Sequence, residues 1–178
     1  MNPLKINKLF LKIRYFLTDI RGIGAVEFCL AVPFMIVVWM GTVELSRLEL
    51  VSRKVSVAAQ TVADLVAQES NVSEADLNSI IAIGRMILEP FPADGMKVKI
   101  ISVEADVDGD TSVGWEFPVD GGSSIPPRSK TLVTQNESVI VVIVKCKATG
   151  MFAKFERNII EEFYTRPRKV RIIPFNTE

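Results

Sequence analysis

The chain has 178 residues, room for one modest folded domain and a membrane segment, and its 21 Lys+Arg are matched by 21 Asp+Glu. Zero net charge leaves no overall basic excess of the kind that draws a protein to nucleic acid. The absence of histidine removes the commonest general base and metal ligand, and excludes Ser-His-Asp and Cys-His catalysis.

Residues 1–22 form a basic leader in which Lys5, Lys8, Lys12, Arg14 and Arg21 are opposed only by Asp19. Residues 28–43 (FCLAVPFMIVVWMGTV) then carry no charge. Joined to the apolar residues just before Glu27, they make a stretch of about 20 residues, enough to cross a bilayer core as a helix. Pro33 inside it removes one helical hydrogen bond, which membrane helices tolerate. Trp39 and Glu44 mark its outer boundary. Beyond it, Arg47, Arg53 and Lys54 are offset by Glu44 and Glu49. The excess of cations before the segment places the N-terminus in the cytoplasm and the rest across the membrane. No small-x-small site follows the apolar run, so it reads as an anchor and not as a removable secretory signal. Glu27 is the single charge in the stretch. A carboxylate at the inner edge of an apolar helix is costly unless paired, which makes Glu27 a functional candidate; the bland alternative is solvation by headgroup water.

The string Arg21-Gly22-Ile23-Gly24-Ala25-Val26-Glu27-Phe28 resembles the processing site of the TadE/TadG-like minor pilins of the Tad (Flp) type IV pilus system. The apolar run with its proline, residues 52–68 (SRKVSVAAQTVADLVAQ) and the late Tyr164-Thr165-Arg166-Pro167-Arg168 string are similar to that family as well. The resemblance implies that a prepilin peptidase cuts after Gly22. Ile23 then becomes the first residue, Glu27 the fifth, and the aromatic Phe28 follows. A cut after Gly24 would make the glutamate third, which fits the pattern less well. It also implies that Glu27 meets the new amino terminus of a neighbouring subunit, two charges that would each be stranded alone in low dielectric.

From Leu48 the apolar residues Leu48, Val51, Val55, Ala58, Val62 and Leu65 recur at alternating spacings of three and four, predicting that the membrane helix continues to about Gln68 with one packed face. Ser73-Glu74-Ala75-Asp76 reads as a capping box opening a second helix, with Leu77, Ile80, Ile81, Gly84, Ile87 and Leu88 on its apolar face and Pro90 and Pro92 ending it. Met96, Val98 and Ile100 alternate with lysines as a strand. The phase shifts at Ile101, where a bulge is expected, and Val113, Trp115 and Phe117 form a partner strand.

Between these strands Asp106, Asp108 and Asp110 are spaced like oxygen ligands of a calcium loop. The glycine comes too early and Phe117 stands where the last glutamate belongs, so an Asp-Gly hairpin turn is the simpler reading. Residues 118–131 form a Pro/Gly/Ser-rich loop, read as a contact surface or a mobile segment. Residues 139–144 (VIVVIV) are a buried strand. Cys29 lies in the apolar segment and Cys146 in a strand, so they read as two free thiols, Cys146 buried; an intermolecular bridge is the alternative. Arg166, Arg168, Lys169 and Arg171 form a basic run near the C-terminus, read as a solvated strand face in preference to a lipid or partner contact.

The expectation is therefore an α+β protein: a leader over 1–22, a transmembrane helix and its extension over 23–68, and a small periplasmic domain of helix plus antiparallel sheet over 69–178. The implied role is that of a minor pilin-like subunit anchored once in the bacterial inner membrane. Its partners would be a prepilin peptidase, other pilins and pilus assembly proteins. No enzyme activity, cofactor, nucleic acid or small-molecule substrate is implied. The alternatives are an uncleaved membrane-anchored scaffold or binding domain and, further off, a tethered enzyme using carboxylates with calcium.

Overall fold

In the computed structural model the described residues are Tyr15 and residues 22–92, 95–118, 124–152 and 155–176; the basic leader, Tyr15 and Gly22 apart, lies outside them. The elements run α1 (Ile23–Gln68), β1 (Val72–Ser73), α2 (Glu74–Ile87), β2 (Lys97–Ala105), β3 (Thr111–Phe117), α3 (Ser129–Leu132), β4 (Ser138–Thr149), β5 (Glu156–Thr165) and β6 (Phe175–Asn176). The class is α+β: a long apolar N-terminal helix followed by a small domain with a helix and an antiparallel sheet. Two compact units divide the chain, Met1–Val43 and Glu44–Glu178.

The first unit contributes the N-terminal part of α1, which runs through Pro33 without ending. None of residues 22–43 is buried, and Phe28, Leu30, Phe34, Val37 and Trp39 stand exposed. Water alone would penalise such a surface, since each large apolar side chain left wet forgoes about 1.5–3 kcal/mol.

In the second unit a four-stranded sheet has the order β3-β2-β4-β5, antiparallel throughout. One face carries Val98, Ile100, Ile140, Val142, Val144 and Cys146, packed in a single core with Leu48 to Val66 of α1 and with Leu77, Ile80 and Ile81 of α2. The other face buries Ile101, Val103, Val139 and Val141, with Ile125 and Val133 packed over them. The run 139–144 is apolar without alternation because β4 is interior and covered on both sides. The same fact explains the phase shift at Ile101, where burial passes from one face to both. The irregularity expected there falls slightly later, between Ser102 and Val103. Ser102 pairs Trp115 and Val103 pairs Val113, leaving Gly114 as the extra residue on β3.

The expected capping box is present: Ser73 Oγ accepts the Asp76 N–H at 3.3 Å and the Asp76 carboxylate accepts the Ser73 N–H at 3.1 Å. The Ser73 hydroxyl also donates to the Asp76 carboxylate at 2.7 Å, and this bond first, then the one from the Ser73 N–H, holds the Asp76 carboxyl below the usual range. At the other end of α2, Lys54 Nζ donates to the carbonyls of Ile87 at 3.0 Å and Glu89 at 2.7 Å, a cation on the negative end of the helix.

Two sequence expectations change. The basic run does not lie on a strand, because β5 ends at Thr165. Instead, the segment after Thr165 ties the domain together. Arg168 donates its backbone N–H to Ala67 O and its guanidinium to Asp64, each at 2.9 Å. Ser138 N–H reaches Arg171 O at 2.9 Å, Trp115 Nε1 donates to Ile173 O at 2.7 Å, and β6 pairs with β1 in parallel. The loop 118–131 is in part a core cover: Ile125 packs on the second apolar cluster and Ser129 is buried, its hydroxyl donating to Pro126 O at 2.6 Å. Residues 119–123 of that loop lie outside the described residues.

Candidate functional site

The residues singled out at the start of the apolar helix are all at its N-terminal end. Gly22 precedes α1, Ile23 is its first residue, and Glu27 and Phe28 follow one turn on. The spacing of four puts Ile23 and Glu27 on the same side of the helix, so a free amine at residue 23 and the carboxylate at 27 belong to one helical face. Glu27 is exposed and has no hydrogen-bond or ion-pair partner among the described residues. A Cβ added at Gly22 or Gly24 would meet nothing within 4 Å, so no packing among the described residues asks for glycine at either position. Ile23 is 48% exposed and Phe28 68%. Among the described residues, this end of the helix thus presents an exposed carboxylate and a row of exposed apolar side chains.

The aspartates of the β2–β3 connection behave as turn residues. Gly109 N–H donates to Asp106 O and Asp106 N–H to Asp110 O, each at 3.0 Å, with Gly109 at φ 87°. That left-handed backbone is why glycine follows Asp108 here. Among the described residues no group of three or more His, Cys, Asp or Glu is placed to hold a metal ion. Cys29 is exposed on the apolar helix, and Cys146 is buried with its thiol pushed up by that burial. A cleft of about 520 Å³ beside the start of β2 is lined by Arg85, Lys97, Lys99 and Lys145 with apolar neighbours, and no carboxylate lines it.

One residue acquires a role that the sequence reading did not give it. Glu44, taken as a boundary mark, is only 8% exposed. Its carboxylate accepts the Met151 N–H at 2.8 and 3.1 Å and the Phe152 N–H at 3.1 Å. A signal was available: Glu44 stands four residues before Leu48, at the head of the stripe that α1 buries.

Among the described residues one helix, near the N-terminus, is long and apolar enough to cross a membrane, and its most apolar window is entirely uncovered, which fits a single-pass membrane protein carrying an α+β domain. Residues 22–64 match the family of TadE-like proteins, about a quarter of the chain. The match opens on Gly22, spans the apolar run and ends within the stripe that packs on the sheet, so the resemblance of that segment to TadE-like proteins holds. No curated protein and no solved structure matches the chain at a significant level.

Proposed function

We propose that this chain is a minor pilin-like structural subunit of a Tad-type pilus. The precursor is held once in the inner membrane, N-terminus in the cytoplasm, and the domain after the apolar run faces the periplasm. A prepilin peptidase cuts after Gly22, and the chain, now beginning at Ile23, enters pilus assembly through its apolar helix. Glu27 meets the amine of a neighbouring pilin. The role is structural, with no catalytic chemistry assigned to any residue.

The observation that carries this reading is the TadE-like match over residues 22–64, laid on a helix that keeps its first half bare. Lipid satisfies such a helix before assembly, and other pilin helices can do so after it, since van der Waals packing and polar pairing drive helix association in membranes. Glu27 supports it physically. An unpaired carboxylate near hydrocarbon is expensive, and a cationic partner offsets that cost.

The test is the N-terminal sequence and intact mass of the protein isolated from membranes of its native host. A chain beginning at Ile23 is the expected result. A chain beginning at Met1, in cells whose prepilin peptidase is active on another substrate, would overturn the pilin reading and leave an uncleaved anchored scaffold.

A further inference from the structure

Glu44 is the first charged residue after the charge-free run 28–43, and it is spent on a loop far away in sequence. Among the described residues, its carboxylate's three hydrogen bonds go to the backbone of Met151 and Phe152, in the connection from β4 to β5. The carboxylate therefore pins this connection beside the helix residue that directly follows the apolar run. Yet the two side chains so placed are not used by the domain: Met151 is 62% exposed and Phe152 43%. Nearby on the same unit the Arg47 guanidinium lies 5.8 Å from the centre of the Phe91 ring, and Lys147, 3.8 Å from the equally exposed Glu156 carboxylate, lines the same crevice as both. Exposed aromatic and thioether side chains mixed with long cations are the composition that bilayer interfaces select. The rings sit at headgroup level while Arg and Lys bury their stems and reach phosphate. A carboxylate at that depth is least costly when its oxygens are already occupied by N–H groups, as those of Glu44 are.

We infer that Met151 and Phe152 form a membrane-interface contact, seated in the headgroup region of the bilayer that carries residues 28–43, with Glu44 as the peg that holds them there and Arg47 and Lys147 toward lipid phosphate. The inference rests on the reading of α1 as a membrane-spanning helix. It gives the anchored domain a second attachment point before assembly.

The experiment uses the full chain, Cys29→Ser, reconstituted in vesicles of phosphatidylethanolamine and phosphatidylglycerol. Single cysteines at Val37, Val107, Met151 or Phe152 carry a bimane label, and a spin-labelled lipid serves as quencher. Cys146 stays in place because it is buried. Val37 reports the apolar run, and Val107, 71% exposed in the β2–β3 turn, reports water. The expected result is strong quenching at 37, quenching at 151 and 152 at least twice that at 107, and its loss at 152 but not at 37 in Glu44→Ala. Quenching at 151 and 152 no greater than at 107, with 37 quenched, overturns the inference alone. Contact with a second copy would give this same negative pattern. No quenching at 37 overturns the spanning reading and the inference with it.

Discussion

Gly84 of α2 faces Val62 of α1, and a double-mutant cycle measures that contact. A methyl added at Gly84 would sit 2.7 Å from Val62 Cγ2 and 3.7 Å from Met96 Cε. Carbon atoms rest at about 3.5–4.0 Å, so the overlap with Val62 is on the order of 1 Å. Val62 is fully buried and β-branched, with little freedom to turn away. Gly84→Ala should gain about 1 kcal/mol from helix propensity and lose about 1–3 kcal/mol to overpacking, a net loss of roughly 1 kcal/mol. Val62→Ala should cost roughly 2 kcal/mol, the transfer of two methyl groups plus the space they leave. In the double variant the new methyl at 84 occupies the room vacated at 62. The combined loss should then be smaller than the sum of the two by about 1–2 kcal/mol. The assay is urea unfolding of the full chain in detergent micelles, followed by circular dichroism and compared at equal m. Additivity within about 0.5 kcal/mol would refute the close crossing, because independent sites add to that precision.

Ile173→Ala, at a fully buried position in the C-terminal segment, should destabilise the domain by about 2–5 kcal/mol and quench or shift Trp115 emission, since Trp115 Nε1 donates to the Ile173 carbonyl. An unchanged unfolding midpoint would mean that the segment after Thr165 is not part of the core. In a Tyr15→Phe chain Tyr164 is the sole tyrosine. Burial first, then its 2.7 Å hydrogen bond to Glu162 and that carboxylate's charge, push its phenol up to about 12. Its folded value lies above the unfolded one of about 10, so its contribution to stability is whole below pH 10 and is lost as pH rises from there towards 12. Ultraviolet titration should show ionisation moving down in Glu162→Gln, and an unmoved curve would remove Glu162 as a cause. On the proposed pairing of Glu27 with a neighbouring pilin's amine, Glu27→Ala should cut co-purification with other pilins about tenfold or more, because losing one member of a low-dielectric ion pair costs about 3–5 kcal/mol. Equal recovery of pilins with the variant would show that Glu27 has no part in assembly.

Most of the domain's helical framework was readable because its signals are local. The stripe from Leu48 to Val62 repeats with the helical period, and Ser73 to Asp76 carries its capping box in four consecutive residues. Leu65, expected on the buried stripe, is only partly buried, while Ala63, Val66 and Ala67 are buried. The burial widens at that end because Arg168 bonds Ala67 O and Asp64 there, a contact made across about a hundred residues of chain. β1 and β6 are two residues each, too short for any periodicity, and exist only because the C-terminal segment returns beside Val72. The basic run looked like a charged strand face because charge alone does not reveal that the guanidinium of Arg166 donates to Leu132 O and that of Arg168 to Asp64. The start of α1 was legible for a different reason: its resemblance to TadE-like proteins lies in a short string of adjacent residues.

The glycines fall into two groups by what surrounds them. At Gly84 a methyl meets Val62, at Gly109 the backbone is left-handed, and at Gly114 the Glu104 carboxylate occupies the place a Cβ would take. Each of these has its cause inside the chain. At Gly22, Gly24 and Gly41 a Cβ would meet nothing within 4 Å, and helix propensity favours alanine over glycine by about 1 kcal/mol within a helix such as α1. Gly24 and Gly41 therefore cost the isolated helix stability and return nothing to the isolated domain. Small residues on an apolar helix recover that cost when a second helix backbone comes close. Variants at 24 and 41 should accordingly leave the unfolding of the domain untouched and act on assembly, the reverse of what Gly84→Ala does.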